Sequence, residues 1–374
     1  MCTFIACRND KHEEEINNSI FEKKYGSYDA DDYATSLASH NNFIYVLGST
    51  NAQHASRYEL LLMKLNDKGD SLWSKTYGGT ENTTGEKLVV MSDGLLLCGP
   101  RVRDGGADKE FYIVKTDFDG VEQWSHSTGT LLDDVLLGAC NANTDGCLLC
   151  GFNATTQDGL NVFLVRVNNN GDTLWTRSYG TPFYDGAADA IATPDGFIVY
   201  GFTDTASNAN RNFYLLHLNE QGAILNTKII DKAGYEEAQA IIRLANGNYL
   251  FSGHSASIDP IHNLYGEEID AQLNTLHSFE LGGAMHDGGE GVAQDESGNY
   301  VFLARSSSYG SGDEDVVLFT SDATGTLKKL QRFGDTGNQE AYQILSYDHT
   351  LILAGATAKP GGGNHDFYVI RCEE

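Results

Sequence analysis

Apolar and polar residues alternate along this chain in short runs, and the runs recur. Leu61 to Gly79 reads LLMKLNDKGDSLWSKTYGG, which predicts two β-strands joined by a tight turn at Gly69. The pattern returns as FYIVKTDFDGVEQWSHSTG from Phe111 to Gly129 and as VFLVRVNNNGDTLWTRSYG from Val162 to Gly180. Trp73, Trp124 and Trp175 mark the same point in each copy, at intervals of 51 residues. A second marker is an apolar strand that ends in a small residue: IYVLGST, LLLCGPR, CLLCGFN, FIVYGFT, YLFSGHS, YVFLARS and LILAGAT. Its anchors are Gly48, Gly99, Gly151, Gly201, Gly253, Ala304 and Gly355, spaced by 51, 52, 50, 52, 51 and 51 residues.

Each unit predicts four strands. The first is rich in small residues, as in GAADAIA from Gly186 to Ala192. A hairpin turn follows, with Asp93-Gly94, Asp145-Gly146, Asp195-Gly196 or Asn246-Gly247 supplying the positive φ that a two-residue loop needs. The apolar second strand ends at the marker glycine. A longer loop leads to the third strand, and a turn carrying Gly69, Gly120, Gly171, Gly222 or Gly325 leads to the fourth. No segment long enough for a helix shows a 3.6-residue period.

Four antiparallel strands repeated about every 50 residues predict an all-β, seven-bladed β-propeller. A blade apolar on both faces cannot bury them alone; radial stacking covers every face, and ring closure leaves no exposed terminal blade. First strands crowd the axis, which accounts for Ala187, Ala188, Ala190, Ala238, Ala240, Gly289, Gly291 and Ala293. The last unit stops after its third strand, DFYVIRCEE, while Ser19 to Gly26 aligns without gaps to the fourth-strand segment Ser71 to Gly78. The N-terminal strand is therefore expected to complete the C-terminal blade. Residues 1–18, polar with the acidic run Glu13-Glu14-Glu15, read as a flexible tether, and 19–374 as one propeller domain. In the later units the tryptophan gives way to Asn226, His277 and Lys328, and blade five carries the most divergent loop, Ser257 to Ile269.

Three segments carry a resemblance to a known family: Trp73 to Gly79, Asp195 to Gly201 and Asp366 to Arg371. The units resemble bacterial and archaeal extracellular propeller repeats of the type WSKTYGG, DGGYIVAG and DFYVVKLD, over about Ser19 to Glu374. The resemblance implies the fold and no particular activity. Phe4-Ile5-Ala6-Cys7 resembles the end of a bacterial lipoprotein signal, and the RNDKHEEE that follows is similar to the tether of surface lipoproteins in the Bacteroides group. This implies lipidation at Cys7 and an extracytoplasmic place at the outer membrane or cell surface. Only six residues precede Cys7, too few for a full signal, and the alternative is a cytoplasmic protein with an ordinary disordered start.

Composition narrows the partners. Hydrophobic residues at 41% suffice for a core, and 41 glycines against 5 prolines suit many short strands and tight turns. The formal net charge of -27, from 52 acidic and 25 basic residues, repels nucleic acid and anionic lipid at long range. Any membrane association is expected through a lipid anchor alone, because no apolar run approaches the roughly 18 residues that span a bilayer. The chain is expected to be monomeric. Seven cysteines at irregular spacing argue against a disulfide scaffold, and Cys147 and Cys150, three apart in a strand, are expected on opposite faces.

Acidic residues recur just before each first strand. Asp32, Asp134, Asp185, Glu237, Asp287 and Glu340 are expected near one mouth of the axial channel, with Thr83-Thr84 and nearby Glu86 as the departure in blade two. Such a ring concentrates cations or holds one Ca²⁺ or Na⁺ on oxygen ligands, and no other cofactor is expected. The structural reading is that each carboxylate caps backbone N–H groups in its own inter-blade turn. Lys64, Lys115, Arg166, His217 and Arg371 share one third-strand position and are expected to reach along the blade toward acidic partners; blades five and six have Glu268 and Phe319 there. His254, His262, His277 and His286 fall near blade five with Asp259, Glu267, Glu268 and Asp287, at no recognised ligand spacing.

The functional expectation is a non-enzymatic binding propeller that recognises a protein or glycan at the loop-rich mouth, with Tyr184, Tyr235 and Tyr309 as rigid contacts. The alternative is a hydrolase or lyase acting on a carbohydrate or ester near blades five and six. Convergent carboxylates and histidines in a deep axial pocket would favour the enzyme; a flat or plugged axis would favour the binding surface.

Overall fold

The computed structural model is a closed ring of seven four-stranded antiparallel sheets, with no helix among the described residues. Described are residues 19–374 except 27–28, 104, 157–158, 205–210, 233, 259–260, 310–313, 335–337 and 359–363; the expected tether, with Cys7, lies outside them. Blades one to six run 32–77, 87–128, 134–179, 185–230, 236–281 and 287–333. Blade seven takes 339–373 and is completed by Ser19–Tyr25 as its outer strand. In that closure Phe21 lies opposite Arg371 and Tyr25 opposite Phe367, and Tyr368 donates its hydroxyl to Glu22 at 2.8 Å.

The buried apolar side chains divide into seven clusters, one at each blade–blade interface. The period of two in the strands produces this division. Leu96 and Cys98 pack toward Phe163 and Val165 of blade three, whereas Leu95 and Leu97 pack toward Tyr45 and Leu47 of blade one. The same alternation separates the two cysteines of the C-x-x-C: Cys147 lies between blades two and three, Cys150 between three and four. Both are free thiols, and burial pushes Cys147 up to about 12 and Cys150 well above its ordinary value.

A repeated clamp joins neighbouring blades at the rim. An aromatic ring on the outer strand of one blade lies over the glycine in the third-to-fourth-strand turn of the next. Trp73 covers Gly120 and Trp124 covers Gly171; a Cβ on either glycine would sit 2.7 Å from the indole. Four residues further on, on the same strand face, a tyrosine grips the carbonyl of that glycine: Tyr25 on Gly69 at 2.5 Å, Tyr77 on Gly120 at 2.7 Å, and Tyr179 on Gly222. These glycines have φ between 69° and 82°, the left-handed region. The ring-closing strand uses the same device, with Phe21 over Gly69.

The clamp accounts for the degenerate units. In blade five the turn glycine is replaced by Leu273, at φ 64° and buried. Its side chain fills the space that an indole occupies elsewhere, and the facing blade-four strand carries Asn226 and Ile230 in place of tryptophan and tyrosine. Asn226 still reaches across, donating to the Gln272 carbonyl at 2.6 Å. At blade seven the third and fourth strands come from opposite ends of the propeller, so no turn exists. There Lys329 and Gln331 donate to the carbonyls of Glu373 and Glu374 at 3.0–3.3 Å.

The basic third-strand residues also find partners. Lys115 pairs with Asp93 at 2.8 Å, His217 with Asp195 at 3.0 Å and Lys64 with Asp119 at 3.2 Å, while Arg371 donates to Thr350 and the Asp67 carbonyl. Blade five reverses the polarity: Glu268 accepts from Asn246 and Asn248, at 3.1 and 2.7 Å, where other blades place an aspartate in the hairpin.

Two outcomes follow from this architecture. Deleting residues 19–25 removes one edge of blade seven and the clamp on Gly69; size-exclusion chromatography with light scattering should show unfolded or oligomeric protein, whereas a folded monomer would refute the closure. Gly120→Ala forces a side chain into the left-handed region and against Trp73 and should cost about 2 kcal/mol or more in urea unfolding; in a Trp73→Ala background the same change should cost less, and an equal cost in both would make the clamp incidental.

Candidate functional site

The axis is shaped by a β-bulge at one place in six of the seven inner strands. In six blades pairing with the second strand slips by one residue there, as between Ala34 and Ser36 or Ala187 and Asp189. The marker glycine stands opposite. A Cβ on Gly48, Gly99, Gly151, Gly201, Gly253 or Gly355 would overlap the carbonyl oxygen that the inner strand pushes toward it. Blade two reaches a similar arrangement with a shorter inner strand, Lys87–Met91, that begins just after Glu86. At this level the seven blades turn Thr35, Glu86, Leu137, Ala188, Gln239, Glu290 and Tyr342 into the lumen, and all seven line one cavity of about 620 Å³.

The cavity belongs to the end of the ring where second strands pass to third strands. Tyr33, Tyr58, Phe202 and Tyr342 give it aromatic walls. Asp31 fixes two of these rings, accepting the hydroxyls of Tyr33 and Tyr58 at 2.8 Å each. Tyr342 donates to Glu340, and Arg211 stacks on Phe202 at 3.8 Å from the ring centre. Deeper in, Lys87 reaches across the lumen to Asp189 at 2.8 Å, a strut from blade two to blade four. Gly138 of blade three makes room for it: a Cβ there would lie 2.9 Å from the Asp189 Cα. Burial opposes the charge on Lys87, but Asp189 holds its ammonium protonated above the usual range. Gln343 accepts the Leu37 N–H at 2.5 Å and Ser36 that of Leu88 at 2.9 Å, tying inner strands together around this level.

The six carboxylates read from the repeat occupy two registers. Asp134 accepts the backbone N–H of Thr130 at 2.5 Å and its hydroxyl at 3.1 Å, and Asp185 does the same with Thr181 at 2.5 and 2.9 Å. Asp287 accepts the Gly283 N–H and the Ser308 hydroxyl, both at 2.6 Å. Asp32 packs against Gly26 at the equivalent place. These four turn back into their own inter-blade connections, where a glycine ending the preceding strand admits them. In blades five and seven that place belongs to Glu236 and Gln339, opposite Ser255 and Thr357. Glu237 and Glu340 therefore sit one residue later. Glu237 lines the cavity, and a hydrogen bond with His254 Nε2 at 3.1 Å holds its carboxyl below the ordinary range. Glu340 lies 3.9 Å from Arg305, which pairs with Glu290 at 2.6 Å and Glu314 at 3.7 Å.

Of the four blade-five histidines, three come together. The rings of His254 and His262 are 5.6 Å apart and those of His262 and His286 5.5 Å, while His277 lies on the outer strand opposite Glu268. Asp259 lies outside the described residues. Among the described residues no group of three or more His, Cys, Asp and Glu side chains is placed to hold a metal ion. Of the mouth tyrosines Tyr184 is exposed, Tyr235 stands against Arg211 and His262, and Tyr309 packs on Phe319.

In the sequence Glu86 stands out only as the acidic residue close to the blade-two departure, and not among the six ring carboxylates. It sits deep in the molecule facing the cavity, and burial raises it to about 7. Among the described residues its carboxyl accepts one hydrogen bond, from Thr84 Oγ1 at 3.1 Å. Lys87, Asp189, Arg211, Glu290 and Arg305 were missed. The available signal was departure from the repeat: the position of Lys87 and Asp189 is Ser36, Gly138, Ala240, Gly291 or Gln343 in the other blades.

This geometry defines a seven-bladed β-propeller with one axial pocket. No family model matches the chain. The chain is 22% identical over 338 residues to the regulatory protein FlaEY of Caulobacter vibrioides, matching 80% of this chain and 33% of that protein, so it spans about a third of that relative's length. Puromycin hydrolase superposes on 90% of this chain and 51% of its own with a TM-score of 0.57 at 12% identity. The propeller domain of the Trilobed protease of Pyrococcus furiosus superposes on 92% of this chain and 95% of its own (TM-score 0.52, 10% identity). Sqt1 of Chaetomium thermophilum covers 94% and 86% (TM-score 0.51, 13% identity). At these identities the likeness is one of fold.

The strut gives a direct test of the site's construction. Asp189→Leu leaves the Lys87 ammonium unpaired in the lumen and should lower unfolding free energy by about 3 kcal/mol; adding Lys87→Met should recover most of it. Additive losses in this double-mutant cycle would show that the two charges do not meet.

Proposed function

We propose that this propeller works by binding, and that its site is the axial pocket together with the mouth around it. The observation that carries this reading is a cavity of about 620 Å³ on the ring axis, walled by Tyr33, Tyr58, Phe202 and Tyr342 and furnished with polar side chains from several blades. Concave sites of this size, largely apolar with a few convergent polar groups, suit a sugar unit of a glycan or an inserted side chain of a protein. The resemblance of Phe4-Ile5-Ala6-Cys7 to a lipoprotein signal end and of the units to extracellular propeller repeats supports a place outside the cytoplasm, with the propeller held at the membrane by lipid. The acidic surface supports cationic or neutral partners.

A second reading has its own support. The axis is neither flat nor plugged at this mouth, and Glu86, Glu237 and Glu290 face the cavity, with His254 behind Glu237. That convergence is what a hydrolase or lyase acting on a carbohydrate or ester uses. Against it, Glu237 and Glu290 are tied to His254 and Arg305 within the wall.

Ala188→Phe should fill the pocket, and because Ala188 also borders the cluster between blades four and five, thermal unfolding of the variant is followed alongside binding. On a glycan array and in pull-downs the wild-type protein is expected to retain an intact ligand that the variant loses at least tenfold. Equal retention by both would remove the pocket from the reading. Release of cleaved sugar or acid by the wild type, absent in the variant, would establish the enzyme instead.

A further inference from the structure

Polar groups that serve this fold recur at every turn of the repeat. The turn-capping carboxylates and the third-strand cations are of this kind, and each has its partner. The lumen residues at the bulge do not recur: a threonine, a leucine, an alanine and a glutamine share the position with two glutamates and a tyrosine. A buried carboxyl at such a place costs free energy that the scaffold does not require. Glu290 is offset by Arg305, whereas among the described residues no cation lies within ion-pair distance of Glu86, and Lys109 acts on it only at longer range.

Resting on the pocket reading above, we infer that the pocket binds an amino sugar, with its ammonium group set against Glu86 and its ring against the tyrosine walls. Three observations converge on this class. The cavity wall carries Glu86, Asp189, Glu237 and Glu290 against only Lys87 and Arg211, and the chain's charge of -27 deepens the negative potential. Tyr33 and Tyr58 belong to blade one, next to the blade that carries Glu86, and Tyr342 to blade seven beyond it; on these walls an ammonium ion gains from the ring faces and a pyranose from stacking. The cavity of about 620 Å³ has room for a whole sugar ring, and Thr84 of blade two and Gln239 of blade five stand in its wall to meet hydroxyl groups. The proton affinity of Glu86 is raised because burial disfavours its charged form, and an ammonium group set beside it would restore that form.

Binding of glucosamine and of glucose, its neutral counterpart, to the wild-type protein and to Glu86→Gln tests this by calorimetry. At about pH 7.5 glucosamine should bind the wild type at least tenfold more tightly than glucose, and Glu86→Gln should erase that difference while leaving glucose unchanged. Lowering the pH to about 5.5 protonates Glu86 and should weaken glucosamine for the wild type only. The other charged groups around the lumen, Lys87, Asp189, Glu237, Glu290, Arg211 and Lys109, are common to both proteins. Glu86→Gln should melt no lower than the wild type, which separates ligand recognition from a structural role. Equal affinity for the two sugars, or an unaltered preference in Glu86→Gln, overturns the ammonium assignment and leaves the pocket itself standing. Lysine methyl ester binding more tightly than glucosamine overturns the saccharide and assigns the amine to a protein. No binding of any of the three overturns the inference, while Ala188→Phe still judges the pocket on the array.

Discussion

The structure depends on each blade's inability to cover its own faces. A four-stranded sheet with apolar side chains above and below must borrow both covers, and here it borrows them from its neighbours in seven separate clusters. The outer strand of each blade then reaches over the turn of the next, and wherever that turn holds a glycine the absent Cβ lets the ring lie flat on the backbone. Closure by Ser19–Tyr25 makes the arrangement endless, so no sheet face and no inter-blade seam is left for solvent.

The same economy of contacts explains the irregular blades. Leu273 takes the place of a turn glycine, and the facing indole and phenol disappear with it. Glu268 takes the place of a cation, and the hairpin facing it carries amides instead of an aspartate. In each case two residues, far apart in the chain, have changed together because they share one volume or one charge balance. Divergence from the repeat is thus of two kinds. Paired departures preserve packing, while unpaired ones, such as Glu86, load the lumen with groups that the scaffold itself does not need.

The bulge links the scaffold to the lumen. By inserting an extra residue into six of the inner strands, it turns one side chain per blade toward the axis at a common height, and the shorter blade-two strand presents Glu86 at the same level. Most of these side chains stand apart from the inter-blade clusters, Ala188 bordering one of them, so the position can differ from blade to blade. A strut between Lys87 and Asp189 crosses at the next residue of those strands, where blade three offers only Gly138 against the Asp189 backbone.

Much of this was legible in the chain itself. Period, strand order, blade number and ring closure follow from local patterns of two-residue alternation and turn glycines, because a strand announces its buried face wherever it sits. The opposite faces of Cys147 and Cys150 and the acidic partners of Lys115 and His217 follow for the same reason. Glu237 and Glu340 could be aligned with Asp134 and Asp185, but one residue of register decides whether a carboxylate caps a turn or faces the lumen, and in a β-strand that single step reverses the side chain. The repeat read from the chain shows which residues are equivalent. Only the closed ring brings residues of different blades, such as Glu86, Asp189 and Glu290, around one space, because their nearness comes from the curvature of the whole wheel and leaves no trace in any one unit.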